Sequence, residues 1–177
     1  MEKFNKNEIV PTENDAYFRN QLLHGYVHDM GAAMQGGVGG HAGLFSNAND
    51  VAKIMQMYLQ KGFYGGKRFL KSKTVSKFNK RYYADKKIRR GLGFDKPLIG
   101  NDTLPIKKAY PAPEVSPKSF GHSGFTGTFV WADPEHELVF IFLSNRVYPH
   151  RSHRNIYNLN IRPKVQQVFY QAMSKSK

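Results

Sequence analysis

The chain has 177 residues, 40% of them apolar, and a formal net charge of +14 at pH 7. That apolar content excludes a disordered tail, and the length suits one core rather than two, so a single domain over residues 1–177 is expected. No apolar run reaches membrane-spanning length, and the lack of cysteine excludes disulfides and thiol catalysis.

Met1 to Asp15 is polar and mixed in charge, with no stretch suited to a signal peptide; the expectation is a cytosolic protein or a chain whose beginning lies elsewhere. Thr12 followed by Asp15 predicts a helix start, with Tyr17, Phe18, Leu22 and Leu23 as a short apolar face. Gly31 to Gly43 holds six glycines and is expected to be irregular. Ser46 or Asn47 then caps an amphipathic helix, with Val51, Ile54, Met55, Tyr58 and Leu59 at helical spacing and Gly62 ending it. A second helix is predicted from Ser72, with Val75, Phe78 and Tyr82 inward and lysines outward. The four prolines between Asn101 and Lys118 predict a loop.

From Thr126 to Asn145 the pattern turns to β. Thr128, Val130 and Ala132 alternate with Phe129 and Trp131, and Asp133 to His136 makes a turn. Leu138 to Leu143 is continuously apolar, which predicts a second strand buried on both faces in the middle of a sheet. The last element is a helix from about Pro163, with Val165, Val168, Phe169 and Ala172 on one face. The order gives an α+β fold, with 1–90 mainly helix and loop and 91–177 antiparallel strands plus a closing helix.

Between Lys67 and Arg90 stand eleven basic residues against one acid, Asp85. Such a block reads either as a solvated helix face with its loop or as a surface for nucleic acid, although no nucleic-acid-binding motif accompanies it.

The residues with most chemical content are Gly121-His122-Ser123-Gly124-Phe125-Thr126-Gly127, just before the hairpin. Three glycines around a His-Ser pair at the mouth of a strand allow a ligand close to the backbone. The segment is not a nucleophile elbow: Phe125 stands where the elbow needs its last glycine, and a strand rather than a helix follows. It resembles the Lys-Thr/Ser-Gly signature of the serine β-lactamase and penicillin-binding-protein family, with His122 in place of Lys as in several related esterases and peptidases. The resemblance extends to Gly39-Gly40-His41-Ala42-Gly43-Leu44-Phe45-Ser46 with Asp50, to Gly65–Leu70, to Gly91-Leu92-Gly93-Phe94 and to Leu143-Ser144-Asn145-Arg146. Pro11-Thr12-Glu13 and Val27-His28-Asp29 are similar to bacterial proteins that fuse a glycoside hydrolase family 3 N-acetylglucosaminidase to a carboxy-terminal β-lactamase-like module.

The resemblance implies an α/β/α sandwich with an antiparallel sheet, here lacking its amino-terminal strands and the helix that bears Ser-x-x-Lys. Of ten serines only Ser174 has a lysine three residues on, the terminal Lys177, and none of ten tyrosines has Asn two residues later. The expected catalytic set is therefore incomplete in this chain. What the likeness leaves is a substrate wall of His122, Ser123, Gly124 and Phe125, with the Phe125 N–H as one oxyanion donor and His28, Asp29 and His41 as loop residues lining the site. It implies no cofactor, a small acyl, peptide or cell-wall-derived substrate, and a parent in the periplasm or cell envelope. The implied partners are the missing amino-terminal half or a second copy, which an exposed apolar sheet edge would invite. Two other readings stay open: a non-catalytic module that binds cell-wall peptides or sugars, and a basic nucleic-acid-binding protein.

Two further patterns carry less. His24 and His28 are four residues apart with Asp29 adjoining, but no further metal ligand has suitable spacing, so no metal is expected. Gly37 to Ala42 fits a loose dinucleotide fingerprint, yet it follows no apolar strand.

Overall fold

A computed structural model of the chain describes residues 5–175. The first elements are β1 (Glu13–Asp15) and β2 (Gln21–Leu23), an antiparallel hairpin where the sequence predicted a helix start. The reason lies in Asp15, whose carboxylate accepts the backbone N–H groups of Tyr17, Phe18 and Arg19 and so caps a tight turn instead of a helix. Tyr17 and Phe18 consequently stand exposed rather than forming an apolar face. Burial works to raise the Asp15 pKa, but these three donors and the Arg19 guanidinium outweigh it and hold the carboxyl well below its usual range.

The glycine-rich stretch is also less irregular than expected. Its first residues form α1 (Met30–Met34), a short helix made possible by the Asp29 side chain, which accepts from the Ala32 N–H at 2.9 Å. The remainder, residues 36–46, has no regular structure. Next comes α2 (Ala48–Leu59), capped by Asn47 and ended by Gly62 at φ +90°. Met55 is buried and Val51, Tyr58 and Leu59 pack beside it, while Ile54 faces out. A two-residue hairpin, β3 (Phe63–Tyr64) and β4 (Lys67–Arg68), leads to α3 (Ser72–Asn79). Only Val75 of the predicted inward residues on α3 is buried; the helix stops at Asn79, leaving Tyr82 beyond its end and Phe78 half exposed.

The main sheet contains β5 (Phe120–Ser123), β6 (Phe129–Asp133) and β7 (Leu138–Phe142), antiparallel and in that order. The central strand is therefore β6, not the wholly apolar β7. Among the described residues β7 has no strand on its outer side; its apolar run is explained by cover on both faces. On one face Phe129, Trp131 and Phe140 pack with Ala112, Val115 and Tyr170. On the other, Phe120 and Ala132 meet Met55 of α2, with Val130 and Val139 alongside. The period-two alternation of β6 thus sorts its side chains between two apolar layers.

The proline-rich 101–118 segment holds only a 3-10 turn at Asn101–Thr103, yet Ala109, Pro111, Ala112 and Val115 are buried beneath the closing helix. That closure is made by α4 (Asn155–Asn158) and α5 (Ile161–Lys175). The buried face of α5 is not the one the apolar residues suggest: Arg162, Gln166 and Tyr170 point in, while Val168 and Phe169 are exposed. Two of these polar residues have hydrogen-bond partners there. Gln166 Oε1 accepts the Ala112 N–H at 3.1 Å, and the Tyr170 hydroxyl donates to Asp133 at 2.8 Å. Asp133 is wholly buried and also accepts the N–H and hydroxyl of Ser116. Helices and small antiparallel sheets together make the fold α+β, and among the described residues no helix is long and apolar enough to cross a membrane.

Candidate functional site

The conformation of residues 120–128 follows from its glycines. A Cβ on Gly121 would overlap the Val130 carbonyl oxygen and the Trp131 indole, so only glycine lets β5 lie against β6 there. Gly127 sits at φ +112°, and a Cβ on it would meet the Ser144 hydroxyl at 2.5 Å. Two bonds close the turn between the strands: Gly124 N–H to Thr128 O at 2.8 Å and Gly127 N–H to Gly124 O at 3.1 Å. Among the described residues the Phe125 N–H donates to no protein acceptor.

His122 is exposed at the end of β5 and has two partners. Its Nδ1 lies 2.9 Å from the Ser123 carbonyl oxygen and its Nε2 lies 3.1 Å from an Arg90 Nη. A carbonyl can only accept and a guanidinium can only donate, so Nδ1 carries the proton in this arrangement and Nε2 accepts. Arg90 thus places a permanent cation beside the position where the family signature has lysine. It is anchored by Asp95, which pairs with Arg90 Nε at 2.9 Å and with Arg89 at 2.9 Å. Asp95 is in turn locked to the sheet by a two-way backbone bridge with Gly121.

Ser123 accepts from the Tyr110 hydroxyl at 3.0 Å. Burial pushes the Tyr110 phenol above its ordinary pKa, partly offset by the bond to Ser123, so the hydroxyl stays protonated at neutral pH and can donate that bond. Phe125 has an exposed ring held by two neighbours. His28 stacks on it at 5.0 Å with planes 13° apart, and the Arg146 guanidinium carbon lies 4.3 Å from its centroid. Arg146, almost fully buried, donates to the Phe125 carbonyl at 2.8 Å, to Tyr157 Oη at 3.0 Å, and to the carbonyls of Arg151 and His153 at 2.8 and 2.9 Å. The carbonyl of the residue whose N–H is free is thereby clamped.

The loop residues are brought to the same region in sequence. His28 Nδ1 bonds Glu13 Oε1 at 2.6 Å, and Arg19 straps this corner by donating to the carbonyls of Val27 and His28. Asp29 caps α1 and pairs with His41 at 3.2 Å; the Ala32 N–H, then the His41 charge, hold its pKa below the ordinary value against burial. His24 turns away to the Ile9 carbonyl, so the two rings at four-residue spacing serve different partners. Among the described residues no three histidine, cysteine or acidic side chains stand together as a metal site. Lys177, the only lysine at Ser-x-x-Lys spacing, lies outside the described residues.

The residues that sequence reasoning did not assign are Arg90, Asp95, Tyr110, Arg146 and Glu13. Arg146 had a signal, since it closes the Leu143–Arg146 match. Glu13 stood in the Pro11–Glu13 match without a role assigned to it, whereas Tyr110 and Arg90 are separated from Ser123 and His122 by 13 and 32 residues with no pattern to connect them.

A Gly-rich turn with a free N–H, a His-Ser pair on the strand before it and a cation beside the histidine therefore stand together at the end of β5. Residues 6–161 match the family described as Beta-lactamase. The chain belongs to that family. Among curated relatives, two described as "Putative D-alanyl-D-alanine carboxypeptidase", from Salmonella agona (strain SL483) and Salmonella typhi, are each 34% identical over 93% of this chain. The chain spans 38% of the length of these relatives.

Proposed function

We propose that this chain supplies the carboxylate-binding wall and one oxyanion donor of a serine hydrolase that acts on peptides ending in D-alanyl-D-alanine. The nucleophilic serine and its lysine come, on this reading, from sequence outside these 177 residues. The observation that carries it is the pairing of Arg90 with His122, on the strand that leads into the free Phe125 N–H. A peptide carboxylate matches the Arg90 guanidinium, the Ser123 hydroxyl offers it a donor, and the scissile carbonyl oxygen matches the Phe125 N–H.

In the reaction the serine oxygen bonds to the carbonyl carbon and its proton passes to the lysine. Negative charge on the carbonyl oxygen is shared between the Phe125 N–H and the N–H of the serine itself. The carbon–nitrogen bond then breaks, and D-alanine leaves with the proton on its amine. Alone, the chain holds one of the two donors and no activated nucleophile. Loss of one donor costs about a hundredfold or more, and loss of the nucleophile removes the covalent step altogether. The fold on this reading is part of an α/β/α sandwich. The outer side of β7 and a hollow of about 820 Å³, lined by Val27, Val38, Leu44 and Phe45 among others, receive the remainder.

Two measurements test this. Incubation with a fluorescent penicillin should leave the chain unlabelled; a covalent adduct on any of its serines refutes the missing nucleophile. An NMR titration with an acylated D-alanyl-D-alanine peptide should shift the amides of Gly121 to Phe125 and should fail in Arg90→Ala. Shifts confined to other residues, or persisting in that variant, refute the wall.

A further inference from the structure

A second hollow, of about 380 Å³, lies between α3 and the segment leading into β5, and the acyl-transfer site makes no use of it. Its lining includes Ser76, Asn79 and four cations: Lys80, Arg81, Lys96 and Lys118. Lys96 is the unusual one, because only 5% of it is exposed. Its ammonium donates to the Lys118 carbonyl at 2.7 Å and to Asn79 Oδ1 at 3.3 Å and lies 5.5 Å from the centroid of the Phe120 ring, so one of its three N–H donors has no oxygen acceptor among the described residues. Among the described residues it has no carboxylate within ion-pairing distance.

Arg81, half-buried, likewise faces carbonyls rather than a carboxylate. Its Nε and one Nη donate to the carbonyls of Arg89 and Pro97, at 3.2 and 2.7 Å, and it too has no carboxylate partner among the described residues. Glu135 is taken by Lys118 at 3.0 Å, and Asp133 exerts only a longer-range pull on Lys96. A buried cation without a counter-charge is costly, and carbonyl dipoles offset only part of that cost. Burial, reinforced by the Arg81 charge, pushes the Lys96 ammonium down to about 8, which is the signature of a cation lacking its anion.

We propose that this hollow binds a phosphate group, with Lys96 and Arg81 as its inner donors and Lys80, Lys118 and Ser76 at its rim. The choice of phosphate over a carboxylate follows from the donor set. Lys96, Arg81 and Lys80 line one small volume with no carboxylate paired to any of them among the described residues, an excess for a single negative charge, and a planar guanidinium beside an ammonium suits a tetrahedral oxyanion. The group can arrive as a free ion or as part of a longer phosphodiester, and the two sources are separable by experiment.

Isothermal titration calorimetry of the full chain at neutral pH and constant ionic strength, with chloride as the reference anion, provides the test. Inorganic phosphate should bind at one site with a Kd of about a millimolar or below. Lys96→Met should weaken it at least about tenfold, while Lys73→Gln, in the same basic block but outside the hollow, should stay within about twofold. Should Lys96→Met fail to fold, Arg81→Gln serves in its place. Glycerophosphoglycerol binding more tightly than phosphate identifies a diester as the guest; the reverse order identifies the free ion. A signal that does not saturate, or equal binding by wild type and both hollow variants, overturns the proposal. So does equal loss in Lys73→Gln, which would reduce the effect to the general charge of the surface.

Discussion

Replacing Arg146 with lysine would separate the charge of the clamp from its shape. The guanidinium serves four acceptors, Phe125 O, Tyr157 Oη, Arg151 O and His153 O, all between 2.8 and 3.0 Å. An ammonium lacks the fixed fork and reaches one or two of them. Hydrogen bonds from a charged donor are worth about 1.5–3 kcal/mol each, so losing two removes about 3 kcal/mol of local support. Since about 1.4 kcal/mol is a factor of ten, the turn should open roughly a hundredfold more often. Amide hydrogen exchange reads this directly at Gly124, Gly127 and Arg146, whose N–H groups bond Thr128, Gly124 and Thr126. The amides of the β6–β7 ladder provide the internal reference. An acceleration below about threefold at the turn would show that glycine geometry alone holds it, and equal acceleration of the ladder would show a global effect; either result refutes the clamp.

Gly121→Ala should destabilise the chain by about 2–4 kcal/mol in urea unfolding, because its methyl has no room between Val130 and Trp131; a loss under about 1 kcal/mol would contradict this. Asp133→Ala leaves the Ser116 N–H, the Ser116 hydroxyl and the Tyr170 hydroxyl unpaired in the interior, for an expected loss of about 3–5 kcal/mol, whereas Asp133→Asn, which keeps one acceptor, should cost less. Lys96 gives a pH dependence of defined sign. Its folded pKa of about 8 lies below the ordinary 10.5, so between these values the folded chain binds fewer protons than the unfolded one. Stability should therefore rise as pH increases through that window, by up to about 3 kcal/mol in buffers free of oxyanions, and Lys96→Met should remove the slope. A slope unchanged in the variant would mean that another group is responsible.

The sequence was most legible where one physical cause governs a short stretch. The Asn47 cap, the helical spacing of Val51, Met55, Tyr58 and Leu59, and Gly62 at positive φ all bear on α2 and agree. It misled where one residue pattern serves two structures. Asp15 caps a turn as readily as a helix, and an apolar run such as Leu138–Phe142 looks the same in a central strand as in an edge strand covered on both faces. The inward face of α5 was hidden because polar side chains occupy it, chosen for the hydrogen bonds of Ala112 and Asp133 rather than for apolarity. In the candidate site, His122 to Phe125 were legible because they are contiguous. Arg90, Tyr110 and Arg146 reach the same place from distant segments, and only tertiary structure brings them there.

The division of labour between Arg90 and His122 has an evolutionary consequence. When one strand-borne lysine both shapes the pocket and attracts the ligand, any change of preference disturbs the sheet. On the proposed function the attraction resides on a connecting segment, tethered to the strand through Asp95 and its bridge to Gly121. Ligand preference can thus drift by mutation of that segment while the scaffold beneath stays untouched.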